Sequence, residues 1–412
     1  MNKELPEEWR WSTLGEECEI NPRRTKDLGG NDNQETSFVP MEAVDGDKGI
    51  ISEIRIVPFS KVKKGYTYFE ENDVLFAKIT PCMQNKKSVI ANGLINGFGF
   101  GTTEFHVLRC KEKIIPKWVY YFIRNQRFID KAENNFTGAV GQQRVPASFL
   151  ENYPIIVPPV LVQQKIVEKL NNQMAQIEKM KKETEEQRAV LDVLFESIIN
   201  KEIQALKYNI LDKYSLIKLE DVCDLRTGGT PSKNQPEYFG GDIKWIVSGD
   251  VNKEFIYDVD GRITEAGYKN SNAKMLPKDS VLIALNGQGK TRGMAAILKT
   301  EATCNQSVIA FTPKNNEELD HVFLFFYLRG CYQKLRNLTG DKERSGLSMS
   351  TLRPFQVIAP PIDIQRKVAA KLQRKYEEIR EISINLQKQK KSIDELPASI
   401  LNEVFGQYQI DS

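Results

Sequence analysis

Apolar residues in this chain follow two patterns, and the pair of patterns occurs twice. From residue 1 to about 157 the apolar runs are short. Val74-Leu75-Phe76-Ala77, Ser88-Val89-Ile90-Ala91 and Phe105-His106-Val107-Leu108 are separated by Gly and Asn clusters, the signature of strands joined by turns. Aromatic residues and Ile123 at helical spacing predict a helix over Trp118 to Ala132. Gly97, Gly99 and Gly101 alternate strictly and predict a flexible turn rather than a dinucleotide fingerprint. The pattern changes at Pro158-Pro159, which ends the preceding strand. From about 161 to 207 apolar positions then step by seven with others three further on, the a and d positions of a coiled coil.

The second half repeats this plan. Ile156-Val157-Pro158-Pro159 with Gln163-Gln164-Lys165-Ile166-Val167 returns 202 residues later as Ile358-Ala359-Pro360-Pro361 with Gln365-Arg366-Lys367-Val368-Ala369. The helical stripe keeps that offset: Leu170, Ile177, Met180, Gln187, Leu191, Leu194 and Ile198 match Leu372, Ile379, Ile382, Gln389, Ile393, Leu396 and Ile400, with Leu386 on the same stripe. Between residues 213 and 359 the offset drifts from 202 to 207, with Leu14 and Cys18 finding Leu219 and Cys223, Val74-Leu75-Phe76-Ala77 finding Val281-Leu282-Ile283-Ala284, and Thr137-Gly138 finding Thr339-Gly340. A globular segment followed by a long helix is therefore the unit, used twice. Loops of changing length on a persistent scaffold are where ligand-specific readout sits.

An apolar stripe on so long a helix needs a partner, and the equivalent stripe is the nearest candidate. Each globular segment precedes its own helix, so antiparallel pairing is favoured over parallel. It would set the two segments at opposite ends of a strut of about 60 Å for forty residues. The expected fold class is α+β: two similar mixed α/β domains separated by a pair of long antiparallel coiled-coil helices with internal pseudo-two-fold symmetry. Gln187 and Gln389 are read either as solvated edge residues or as a polar layer that fixes register.

Composition narrows the function. At 412 residues with 40% apolar and 9% aromatic residues, the chain is long enough for roughly two to four domains with real cores. A formal net charge of +3 allows a mildly basic patch. No apolar run reaches membrane-spanning length, and Met1-Asn2-Lys3-Glu4-Leu5-Pro6 lacks the apolar core of a signal peptide, so a cytoplasmic protein without membrane contact is expected. The six cysteines, Cys18, Cys82, Cys110, Cys223, Cys304 and Cys331, form no CxxC and read as buried thiols. With only His106 and His321, a histidine base or a histidine-rich metal centre has little material. No metal or other cofactor is expected.

Ala284-Leu285-Asn286-Gly287-Gln288-Gly289-Lys290-Thr291 ends like a phosphate-binding loop but has Ala284 where that motif needs glycine. The first repeat has Ile79-Thr80-Pro81-Cys82-Met83-Gln84-Asn85-Lys86 in its place, so both are read as polar, basic loops between strands. No Asp-Pro-Pro-Tyr or Asn-Pro-Pro-Tyr stretch is present for gripping a flipped adenine, and nothing resembles an active site. What accumulates is chemistry suited to reading bases. The first domain offers Lys78, Thr80, Gln84, Asn85, Lys86, Lys87, Gln142, Gln143 and Arg144; the second offers Arg226, Thr227, Asn286, Gln288, Lys290, Thr291, Arg292, Lys342 and Arg344. Arg pairs with guanine and Asn or Gln with adenine, while Lys and Thr suit phosphates. Each residue singly also fits a solvated surface; clustering at corresponding places favours a role in DNA binding.

Glu4-Leu5-Pro6-Glu7-Glu8-Trp9-Arg10-Trp11 with Leu14-Gly15-Glu16, then Asp73-Val74-Leu75-Phe76-Ala77-Lys78-Ile79-Thr80-Pro81-Cys82-Met83-Gln84, then Pro158-Pro159 with Gln163-Gln164 and Ile166, resemble the specificity (S) subunits of type I restriction-modification systems over nearly the whole length. Glu8 stands where glycine is common in that family. The resemblance implies target-recognition domains at 1–159 and 208–361 and conserved helices at 160–207 and 362–412. Each domain would read one half of a bipartite double-stranded DNA target. The helix pair would set the spacer and dock two methyltransferase (M) subunits, joined by restriction (R) subunits, and the chain itself would be non-catalytic.

Overall fold

The computed structural model describes residues 5–24, 31–139, 142–210, 216–338 and 346–407. The chain divides into two compact units, Met1–Thr184 with Lys388–Ser412, and Glu185–Gln387. Each contains one globular domain and a stretch of both long helices, Val160–Ile210 and Ile362–Phe405.

In the first unit, strands Cys18–Ile20, Phe105–Cys110, Val74–Ala77 and Ser88–Ile90 form an antiparallel sheet in that order. A second sheet orders Arg55–Pro58, Glu35–Val39, Phe98–Gly101 and Thr67–Glu70, with Glu35–Val39 and Phe98–Gly101 parallel. Val74–Ala77 is apolar throughout because both its faces are buried. Val74 and Phe76 enter the core that includes Trp118, Phe122 and Phe128; Leu75 and Ala77 enter another with Val39, Phe69 and Phe105. Side chains alternate across a strand, so four consecutive apolar residues serve two cores.

The second unit uses the same device. Val281 and Ile283 face the core that includes Phe311, Phe323 and Phe326, while Leu282 and Ala284 face that of Ile246, Leu276 and Ala296. Here the main sheet runs Cys223–Thr227, Val308–Pro313, Val281–Ala284, Ala295–Leu298 and Phe255–Ile256. A three-stranded sheet orders Arg262–Ile263, Phe239–Ile246 and Thr303–Cys304.

A short antiparallel pair closes each domain before its helix begins: Arg10–Thr13 with Pro154–Val157, and Leu216–Lys218 with Gln356–Ile358. Beyond the Pro-Pro pair, a wholly buried glutamine fastens the helix start to the domain. Gln163 donates from Nε2 to Pro158 O (2.8 Å) and Lys113 O (2.9 Å), and its Oε1 accepts from Ile115 N (3.0 Å). Gln365 repeats the pattern with Pro360 O (2.7 Å), Glu318 O (2.8 Å) and Asp320 N (2.9 Å).

Within each unit the two helix stretches run antiparallel. In the first, Val167 and Leu170 share a core with Leu401 and Phe405, and Lys181 reaches Asp394 at 3.5 Å. In the second, Phe195 meets Tyr376 with ring centroids 5.3 Å apart and Glu202 pairs with Lys371 at 2.6 Å.

The seam differs from the expected heptad. Leu170, Ile177, Leu372, Leu386 and Ile393 are buried, and Leu191, Ile198, Ile379, Leu396 and Ile400 are half-buried. Met180 (39%), Leu194 (44%) and Ile382 (48%) are exposed, however, as are Gln187 and Gln389. The exposure of both glutamines fits the solvated-edge reading and not the polar layer. Thr184, Phe195, Ile199, Ile203, Leu206 and Ala369 are buried instead. A straight helix drifts about 20° per heptad against a seven-residue repeat, and these helices also pack on the globular domains, so the buried stripe is set by two partners rather than one.

Two other expectations are corrected. The helix expected over Trp118 to Ala132 is two helices, Pro116–Phe122 and Gln126–Asn134, because the Asn125 side chain caps the second by accepting from Phe128 N at 3.0 Å. The expected flexible turn at Gly97, Gly99 and Gly101 is mostly the strand Phe98–Gly101. A Cβ at Gly99 would lie 2.8 Å from the Phe69 ring and one at Gly101 2.8 Å from Val39 O, so glycine is needed there for close packing, not for mobility. Cys18, Cys223, Cys304 and Cys331 are buried thiols, whereas Cys82 and Cys110 are half-buried. Thr339 and Gly340 lie outside the described residues.

Candidate nucleic-acid interface

The hydrogen-bonding of the first domain gathers three separated segments at one end of its sheet. Lys78 N donates to Glu104 O (2.9 Å), Val145 N to Lys78 O (2.9 Å) and Thr80 N to Gln143 O (3.0 Å). Lys78, Thr80, Gln142, Gln143 and Arg144 are thereby neighbours. The loop from Thr80 to Lys87 is anchored by wholly buried Met83 and carries exposed Gln84 and Asn85 at its tip.

The cations are less free than the sequence suggests. Arg144 is held by Glu104 through two hydrogen bonds of 2.8 Å and donates to Gln142 O at 2.8 Å. Lys87 Nζ donates to Met41 O at 2.9 Å. Lys78 and Lys86 are half-buried, and burial lowers the pKa of both. Gln84, Asn85 and Gln142 are the exposed polar members of the set, while Arg144 braces the platform beneath them.

His106 locks this platform to the core. Its Nε2 lies 2.8 Å from Val145 O and its Nδ1 3.0 Å from Asn21 Nδ2. A carbonyl oxygen only accepts, so Nε2 carries a proton, and the shorter contact at Nδ1 suits a ring that accepts there from the Asn21 amide. Burial pushes its pKa down from 6.5 to about 4, so it is not a base poised for neutral pH. Between about pH 6.5 and 4, unfolded chains bind a proton at His106 that folded chains refuse. Stability therefore falls as pH is lowered through this window, by about 3 kcal/mol over its full width. The difference in urea midpoint between pH 7 and pH 4.5 is expected to shrink in His106→Gln; an unchanged difference would assign the acid sensitivity elsewhere.

In the second domain Asn286, Gln288 and Lys290 are exposed, and Thr291 and Arg292 are half-buried. Their loop is braced from a helix, with Tyr332 Oη donating to Lys290 O (2.9 Å) and Arg336 Nη1 to Gly289 O (2.7 Å). Asn252 Nδ2 donates to Thr291 Oγ1 at 2.9 Å. The segment after Gly289-Lys290-Thr291 continues to the strand Ala295–Leu298 and not to a helix, so the helix N-terminus that completes a phosphate-binding loop is missing. Thr227 pairs with Ile309 and Ala284 with Val308, which puts Arg226 and Thr227 at the same end of the sheet as this loop. Lys342 and Arg344 lie outside the described residues.

The sequence reading passed over Arg23 and Arg24. Both are exposed and lie shortly after strand Cys18–Ile20, beyond Asn21 and Pro22, that strand being the counterpart of the one that carries Arg226. The local repeat offset of 205 carries Arg226 onto Asn21, so the sequence reading had no signal for them. It also passed over Lys117 and Arg124, whose role depends on contacts between segments distant in sequence. Among the described residues no cluster of His, Cys, Asp and Glu suits a metal ion, and no helix is long and apolar enough to cross a membrane.

The model of the type I restriction modification DNA specificity domain matches this chain twice, over residues 6–187 and 212–390. The specificity subunit of the type I restriction enzyme EcoAI from Escherichia coli is 39% identical over 182 residues, covering 44% of this chain and 30% of that protein. The EcoEI specificity subunit from the same organism is 43% identical over 165 residues, 40% of this chain and 27% of its own length. The chain thus spans less than a third of either of these relatives. Among solved structures, a chain from work on complex assembly and conformational transition of a type I restriction-modification system superposes with a TM-score of 0.80 at 19% identity, covering 98% of this chain and 99% of that one. The HsdS subunit from Thermoanaerobacter tengcongensis gives 0.62 at 19% identity, with 98% of each chain covered. Both show the same fold. With two matches that together take in most of its length, each running from a globular domain into a long helix, the chain belongs to the type I restriction-modification DNA specificity family.

Proposed function

We propose that this protein is the DNA sequence-specificity subunit of a type I restriction-modification complex. Residues 1–159 and 208–361 act as target-recognition domains, each reading one half of a bipartite double-stranded DNA target. The helices at 160–207 and 362–412 set the unread spacer and dock two methyltransferase subunits, with restriction subunits joining that core. The chain contributes recognition and no bond chemistry, works in the cytoplasm, and needs no cofactor of its own. The observation that carries this reading is the double match of one DNA-specificity domain to two diverged halves of a single chain. Different polar loops on a common frame suit two different half-sites. Exposed Val190, Val193, Leu194, Ile382 and Ile384 on the helices of the second unit support the docking role, since apolar side chains grouped on a helix surface favour a partner.

Exchanging residues 1–157 for the corresponding segment of a relative, then mapping methylated adenines genome-wide in a strain carrying only this subunit and its methyltransferase, tests the reading. One half of the modified sequence is expected to change while the other half and the spacer persist. An unchanged motif, or modification without a split motif, would overturn it.

A further inference from the structure

The first unit has a cleft of about 140 Å³ where its globular domain meets the helices, lined among others by Lys48, Lys86, Lys117, Arg124 and Lys181 against only two carboxylates, Asp47 and Glu178. Lys181 lies 3.5 Å from both Glu178 and Asp394 and is thereby matched. Lys86, Lys117 and Arg124 are different. Arg124 donates to three backbone carbonyls, Lys86 O (2.6 Å), Gly46 O (2.6 Å) and Asp47 O (3.3 Å). Lys117 Nζ stands over the rings of Tyr120 (4.5 Å) and Tyr121 (5.4 Å). Among the described residues none of these three forms an ion pair with a carboxylate. Burial, and after it the charge of Arg124, lowers the pKa of both lysines, outweighing the opposing pull of Asp130 and Asp47 on Lys86.

The walls are fixed before any ligand arrives. Arg124 ties the loop at 46–47 to the loop at 80–87. The two press so closely that a Cβ at Gly46 would lie 2.2 Å from Asn85 O, and one at Gly49 would strike the Tyr120 hydroxyl at 1.7 Å. The second unit shows that the scaffold does not demand unneutralised charge at such a place. Arg329, on the matching helix of that domain, lines a cleft there too, but is paired with Glu254 at 2.7 Å.

We propose that the Lys86–Lys117–Arg124 cleft binds one phosphate of the DNA backbone beside the half-site read by the first domain. The proposal rests on the reading of the chain as a DNA-specificity subunit and adds the place where the strand is gripped. Lys86 belongs to the same loop as exposed Gln84 and Asn85, so a strand presenting its base edges to that loop tip carries its own phosphates past the cleft mouth. Phosphate contacts fix position and bases fix sequence; here one short loop supplies both, with the phosphate held by cations from two elements and the base contacts left to the amides.

The test uses the full chain assembled with its methyltransferase, comparing wild type, Lys117→Gln, Lys86→Gln and Lys117→Arg on the target duplex and on an unrelated duplex over a range of salt. Each Gln variant is expected to reduce the slope of log affinity against log salt by about 1, equally on both duplexes, whereas Lys117→Arg keeps the wild-type slope. Replacing single phosphates of the target by neutral methylphosphonates is expected to reveal one position that weakens wild type and has no effect on Lys117→Gln. Normal sequence preference with an unchanged slope overturns the subsite alone. So does loss of methyltransferase assembly at an unchanged slope, which would assign the cleft to an acidic side chain of a protein partner. A wild-type complex without any sequence preference would overturn the underlying reading as well.

Discussion

Gln163→Leu is expected to destabilise the first unit by about 3–5 kcal/mol, and Gln365→Leu the second by a similar amount. The leucine fits the apolar surroundings, but its methyl groups cannot replace three hydrogen bonds. In the first unit Pro158 O, Lys113 O and Ile115 N all lose their glutamine partner. Each buried group left unpaired costs about 1–3 kcal/mol. Gln164, next in sequence and exposed, provides the control, since Gln164→Leu is expected to stay within about 0.5 kcal/mol of wild type. Three of the four tryptophans, Trp9, Trp11 and Trp118, lie in the first unit, so urea unfolding followed by tryptophan emission reports mainly on it. Equal effects at Gln163 and Gln164 would mean that the helix is held by its apolar contacts alone.

Phe405→Ala is the second large effect, at about 3–5 kcal/mol for removal of a well-packed aromatic side chain. Phe405 is buried near the end of the second long helix and meets Trp118 edge to face at 4.9 Å and Phe122 at 5.6 Å. The last turns of this helix are thereby built into the core of the first domain. Leu194→Ala and Ile382→Ala, on helix faces the heptad rule would bury, are expected to change stability by less than about 1 kcal/mol, because 44% and 48% of those residues are already exposed. On the proposed docking role, the same two substitutions are expected to weaken binding of the methyltransferase. Thermal unfolding of the isolated chain that ranked Leu194→Ala with Phe405→Ala would restore the simple coiled-coil seam.

The differences between sequence pattern and structure have a common cause. Heptad spacing describes a helix with one partner, whereas Phe195 packs on Phe326 of the globular domain as well as on Tyr376 of the other helix. Spacing also could not show that Asn125 would cap a new helix, since its Oδ1 competes for the backbone only once Phe128 is fixed in the core. Polar residues suffered a related ambiguity. Arg144 and Gln142 are equally hydrophilic in sequence, yet Glu104, forty residues away in the chain, takes up the arginine and leaves the glutamine exposed.

By itself the sequence determined the duplication, the alternation of a strand-rich segment with a long helix, the short apolar runs at Val74–Ala77 and Val281–Ala284, and the family. These depend on local periodicity and on a repeat that keeps its offset, and both are properties of order along the chain. Only the tertiary structure decided which helix face is buried, that Gln163 and Gln365 fasten the helices to their domains, and that Lys86, Lys117 and Arg124 share one cleft without a direct ion pair to a carboxylate. Those outcomes depend on burial and on charge pairing between residues far apart in sequence, where a few ångströms separate a neutralised cation from one that still requires an anion.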